Sequence, residues 1–222
     1  MTAPIATAPS ALSAHALRSG KTGTSAKQSG VRARVRARAR VIGLAITAII
    51  ALMVSACAST PDAIAPMVAA PTPPFDALAF FEGRSRGRGE LSKVFSSPVP
   101  VRVYSEGQIE PDGSLTLHQR IEEGDKPVRM RTWVIREVAA TGEEDRRYEG
   151  SLTDASGPVE GFSQGNRLTL RYAMDGGFAV SQVLTLSQDG ESAYNRLEVR
   201  LAGVTVAVLA EEIVQGQSDE MP

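Results

Sequence analysis

The chain contains one cysteine, Cys57, which excludes an internal disulfide framework and any thiolate metal cluster. Its two histidines, His15 and His118, stand in neither an HExxH nor a GxSxG context. The parts of a zinc protease or a serine hydrolase are therefore missing. No long transmembrane run is present either. The uncharged stretch at residues 41–56 falls short of the ~20 apolar residues that a spanning helix needs. Acidic residues are absent from the first 56 positions, where Arg18, Lys21, Lys27, Arg32, Arg34, Arg36, Arg38 and Arg40 stand alone, so all 25 Asp and Glu fall after Cys57. The formal net charge of -1 thus averages a basic leader and an acidic remainder. An acidic domain is repelled by phosphate, so nucleic acid is not expected as a partner.

The stretch around the cysteine organises the rest. Five arginines at residues 32–40 precede the apolar run VIGLAITAIIALMVSAC, which closes on small residues before Cys57. That order, basic then apolar then small, is the pattern of an export signal. With cysteine at its end it reads as a lipobox. Cleavage is expected between Ala56 and Cys57, followed by acylation of Cys57 and anchoring in a bacterial membrane. Ser59 stands two places on, where an aspartate retains many lipoproteins in the inner membrane, so the periplasmic face of the outer membrane is the expected site.

The organisation follows from composition. Residues 1–30 are rich in Ala, Ser, Thr and Gly without apolar periodicity, which predicts disorder; a start codon assigned too early would account for so long a leader. Residues 31–56 are the signal peptide, and 57–74 are a proline-rich linker, expected to lift the domain off the bilayer. From residue 75 to 215 the periodicity is 2. After a short helical turn near residues 75–82, about ten strands alternate with turns such as Pro111-Asp112-Gly113 and Asp175-Gly176-Gly177. No segment is long enough for a helical crossover. The fold class is all-β, an antiparallel meander closed into a lipocalin-like barrel, with a sandwich as the alternative. The first strand is read through Leu91 to Phe95, and GRSRGRG at residues 83–89 as glycines that let a bent first strand close the barrel. The parity of residues 127–138 leaves open which face is inside. Residues 216–222 are a polar tail.

His118 falls opposite in phase to Leu115 and Leu117, an exposed strand position. Glu122-Glu123 and Glu143-Glu144-Asp145 read as solvated turns. Arg129, Arg131, Trp133, Arg171 and Tyr172 could line a pocket for an amphipathic anion, with the arginines on a solvated face as the competing reading.

Five segments resemble, in order, an uncharacterised bacterial family of lipocalin-like lipoproteins, a domain-of-unknown-function family. They are FFEGRSRGRGEL, MRTWVI, YEGSLTDASGPVEGFSQGN, LRY and YNRLEVRLAGVTV. The most specific positions are Arg131, Trp133, Asp154 with Gly157, Gly161, Gly165-Asn166, Tyr172 and Asn195; Leu201-Ala202 departs from a basic-aromatic pair. The resemblance implies an acylated envelope protein with a calycin-type barrel and no named activity. Together these readings select Arg131, Trp133, Asp154, Asn166, Tyr172 and Asn195 as candidate ligand-binding residues. No cofactor, metal or catalytic residue is expected, and the chain is expected to be monomeric. The leading expectation is a non-enzymatic binder of a lipid or other apolar small molecule. The alternative is a side-chain-filled barrel that docks a protein partner.

Overall fold

The structure is a computed structural model that describes residues 58–216, apart from Ala63 and Glu143. The leader, the signal, Cys57 and the tail beyond Gly216 lie outside the described residues.

Ten antiparallel strands form a closed barrel in which each strand pairs with its neighbours in sequence and the first pairs with the last. They are β1 (Gly83–Lys93), β2 (Val99–Ile109), β3 (Leu115–Glu123), β4 (Arg129–Val138), β5 (Arg146–Leu152), β6 (Val159–Gln164), β7 (Arg167–Met174), β8 (Phe178–Leu186), β9 (Ser192–Leu201) and β10 (Val204–Gln215). The expected meander is what the chain adopts. The first strand starts earlier than expected, because Gly83 to Gly89 belong to it, and ends earlier, because Phe95 lies in the turn that follows Lys93. Gly87 pairs with Val103 on one side and Ile213 on the other. Within this segment Arg84, Arg86 and Arg88 alternate with Ser85, Gly87 and Gly89. Small residues therefore face the lumen, and the arginines carry the outer face, where Arg86 lies over the Tyr104 ring.

One end of the barrel is shut. Helix α1 (Ala77–Phe81) begins at Asp76, whose carboxylate accepts hydrogen bonds from the backbone N–H groups of Leu78 and Ala79. The helix drops Phe75, Phe80 and Phe81 into the barrel end, with ring centroids 5.2 and 4.9 Å apart in succession. These rings join Leu115, Ile135, Tyr148, Leu168 and Leu184 in the main core. The Tyr148 hydroxyl accepts a hydrogen bond from Ala77 N at 3.1 Å, and Gly107 has no side chain because a Cβ there would lie 1.9 Å from the Phe81 carbonyl oxygen. The helix is thus seated against the wall by backbone contact.

The segment expected to act as a spacer is bound to the wall. Ala58 donates its N–H to the Thr205 carbonyl at 3.1 Å, beside the β9–β10 turn. Arg196 donates to Thr60 Oγ1 at 3.0 Å, and Pro61 is buried. The outward-facing Val208 and Ala210 are fully buried where the strap crosses. At the shut end Asn166, in the β6–β7 turn, accepts from Ala70 N at 2.7 Å and donates to Val68 O and Leu186 O. Gly165 has φ +55, and a Cβ there would lie 2.3 Å from the Ala70 carbonyl oxygen. Residues 58–74 therefore run down the outside from the open end to the shut end. Five prolines stiffen the strap, so docking it orders fewer degrees of freedom than a flexible linker would require.

Replacing Asn166 with Ala should cost about 2 kcal/mol, since it strands the buried Leu186 carbonyl in the wall and removes two part-buried hydrogen bonds to the strap. Urea denaturation would measure the loss, and limited proteolysis should show new cleavage near residues 66–70. An unchanged midpoint and an uncut strap would contradict this reading of the turn.

Candidate functional site

The barrel encloses a cavity of about 600 Å³. That is ample for a lipid-sized or drug-sized molecule. Phe81 and Ile213 lie toward the plugged end, while Val94, Ser96, Arg129 and Phe178 stand at the mouth. The mouth is ringed by the β1–β2, β3–β4, β5–β6, β7–β8 and β9–β10 turns, as the registers require.

The walls are mostly apolar for a simple reason. Alternation sends Val101, Val103, Leu117, Ile121, Leu170, Val180, Leu197 and Leu209 inward. The parity of β4, which the sequence leaves open, is settled by the same lining: Arg129, Arg131, Trp133 and Ile135 face the lumen, and Met130 and Val134 face outward. Trp133 packs edge-on to Tyr172, with centroids 5.4 Å apart. Its indole N–H donates to Gln119 Oε1 at 2.8 Å, and Gln119 Nε2 donates to Ser105 Oγ at 3.1 Å. A fully hydrogen-bonded indole of this kind fixes the position of one cavity wall.

Against this background the lumen carries a small set of buried polar groups on three adjacent strands. Asn195 on β9 donates from Nδ2 to Glu211 Oε2 on β10 at 2.8 Å. Glu211 Oε1, Asn195 Oδ1 and Gln182 Oε1 on β8 have no hydrogen-bond partner. Burial pushes the Glu211 carboxyl up to about 7, against the hydrogen bond from Asn195 and the attraction of Arg131, which lower it. Room for this carboxyl comes from β1: a Cβ on Gly87 would fall 1.8 Å from Glu211 Oε1. These three oxygens lie in the cavity wall with almost no accessible surface, and leaving them unpaired costs free energy unless a small shift of their side chains lets something supply hydrogen bonds to them.

Of the residues selected from sequence, Arg131, Trp133, Tyr172 and Asn195 line the cavity. Asp154 sits in the β5–β6 turn and acts through Arg131, whose guanidinium it binds at 2.6 Å, with Arg129 at 3.3 Å. Asn166 is placed elsewhere, at the shut end holding the strap. The expected anion pocket also changes: Arg171 points outward onto the Phe162 ring, and Arg129 and Arg131 are already paired with Asp154. His118 is exposed as expected and meets Thr132 Oγ1 at 3.1 Å. Sequence reasoning missed Glu211 because a register shift between Thr205 and Ala207 reverses the parity that Val204 and Val206 set. The signal was a glutamate in phase with Ala207, Leu209 and Ile213. Among the described residues, no group of three or more His, Cys, Asp or Glu side chains is gathered as a metal site would need.

The carboxyl makes a pH prediction with a definite sign. Its folded-state pKa of about 7 lies above the ordinary 4.5, so between these values the unfolded chain releases the proton first. Stability relative to Glu211→Gln should therefore be highest near pH 4.5 and fall by about 3 kcal/mol as the pH rises to 7 and above. Urea titrations of both proteins at pH 5 and pH 8 check this; a constant difference would contradict it.

No protein-family model matches the chain, and no curated protein matches it. Solved structures resemble it in fold, two of them as follows. One is a protein of unknown function from the DUF3598 family of Nostoc punctiforme PCC 73102, with TM-score 0.47 and 11% identity over 65% of this chain; the chain spans half the length of that protein. The other is an S-type phycobiliprotein lyase from Guillardia theta, with TM-score 0.48 and 10% identity, covering 64% of this chain and 92% of that one.

Proposed function

We propose that the protein is an envelope lipoprotein, anchored through acyl chains on Cys57, whose barrel binds and carries a small amphipathic molecule. The carrying observation is the cavity of about 600 Å³, apolar along its walls and equipped near Glu211 with acceptor atoms that lack donors. An apolar body would lie among Val103, Leu117, Val180 and Leu197. Its polar end would donate N–H or O–H groups to Glu211, Asn195 and Gln182. An amine is the best fit, because it would draw the Glu211 proton away and form a charge-assisted hydrogen bond in a dry site. A carboxylate head is less well served, since Arg131 is bound through a terminal nitrogen to Asp154 and has its partnerless Nε to offer against three unpaired acceptors.

A second reading, an interaction module docking a protein partner, draws on Met130 and Val134, exposed on the outer face of β4.

Native mass spectrometry of the protein extracted from its membrane should show a bound small molecule released by organic solvent. Trp133 is the single tryptophan, so its fluorescence reports cavity filling. Dodecylamine should bind saturably and about tenfold tighter than dodecanoate, a margin that Glu211→Gln narrows. A clean apo mass with no saturable response to either probe would overturn the carrier reading in favour of the interaction module.

A further inference from the structure

The mouth of the barrel carries a feature that cargo binding does not use. Phe95, at the tip of the β1–β2 turn, is 92% exposed and holds φ 59, a left-handed conformation that bulky side chains rarely adopt. Two costs meet at one residue, and nothing in the barrel offsets either. The β9–β10 turn is its neighbour around the rim, joined by a hydrogen bond from Val94 N to Val206 O, and it exposes Leu201 and Val204. Residues 94–98 and 201–204 contain no charged side chain. They form a continuous uncharged edge on one side of the mouth. Lys93 flanks this edge and pairs with Glu123, which also meets Lys126; on the far side Asp154 pairs with Arg129 and Arg131, and Asp125 and Asp175 lie exposed in the β3–β4 and β7–β8 turns.

The strap makes this edge informative. Its first described residue, Ala58, is bonded to Thr205 inside the same edge. In the sequence Ala58 is preceded by Cys57 and by the apolar run of residues 41–56. Because residues 58–74 are fastened along the wall, they do not hold the barrel away from whatever binds the preceding segment. The strap begins at the mouth.

We infer that the uncharged edge of Val94, Phe95, Leu201 and Val204 rests in the interfacial layer of a phospholipid bilayer, so that the cavity opens onto lipid. An exposed Phe ring on an uncharged turn suits that layer, because the apolar ring leaves water by entering the headgroup–acyl boundary and no charge has to be carried in with it. The far, charged side of the mouth stays in water, which tilts the barrel. This inference goes beyond cargo binding, because a barrel packed solid could dock in the same way.

The test uses the full chain with Cys57→Ser, which keeps the apolar run as tether whether or not the wild-type cysteine is acylated. Single cysteines replace Phe95, Val204, Pro111 or Gln188, the last two in turns at the shut end, and each carries an environment-sensitive fluorophore. In vesicles of phosphatidylethanolamine and phosphatidylglycerol with nitroxide-bearing lipid, labels at 95 and 204 should be quenched several-fold more than labels at 111 and 188. Phe95→Asp should then reduce quenching at 204 while leaving the thermal midpoint unchanged or raised. Equal quenching at both ends, or stronger quenching at 111 and 188, would overturn the inference. So would quenching at the rim only after envelope proteins are added, which would make the edge a protein contact. The mass of the wild-type N-terminal peptide reports acylation separately.

Discussion

The seam between β1 and β10 is the constraint on which this molecule depends. A ten-strand meander left open would present two unpaired edges, each able to recruit another chain. Pairing Ser85 to Lys93 with Ala207 to Gln215 removes both and creates an inside. The same seam furnishes that inside. Gly87 and Gly89 let the strand approach β10 with no side chain in the way, and the space goes to Glu211. Closure and chemistry thus share residues. A side chain at position 87 would strain the seam and displace the carboxyl in one step.

The plug and the strap define direction. Phe75, Phe80 and Phe81 fill one end as part of the core, so a molecule can enter the lumen only from the other. Asn166 and the Thr205 carbonyl fix the segment before the plug along the wall. The barrel therefore has a shut end, an open end and a strap that begins at the open end. Proline-rich composition suggested a spacer because such sequences stay extended without internal hydrogen bonds. Extended segments with unsatisfied backbone groups can also dock on a wall, and composition does not distinguish the two outcomes.

Much of the architecture was legible where alternation was clean. In β7, β8 and β9, Leu168, Leu170, Tyr172, Val180, Leu184, Ala193 and Asn195 fell in phase and now face inward. β1 was read too short because it has no apolar residue before Leu91; its period of 2 is written as arginine against serine or glycine. In β4 both faces are apolar, Met130 and Val134 outside with Trp133 and Ile135 inside, so periodicity alone had nothing to choose between. A one-residue shift in β10 hid Glu211, and a bulge of that kind leaves only a weak mark in sequence. Asn166 and Asn195 looked alike as candidates. One fixes the strap and the other faces the cavity, a difference that only the closed topology decides.

An envelope carrier that loads from lipid is the account these features support together. A crystal structure of the protein purified from its own membrane, without added ligand, is the most direct trial. The account predicts elongated density running from Glu211 and Asn195, past Trp133, toward the mouth between Phe95 and Phe178. A lumen collapsed onto its own side chains, with the Glu211 carboxyl bonded only within the protein, would contradict it.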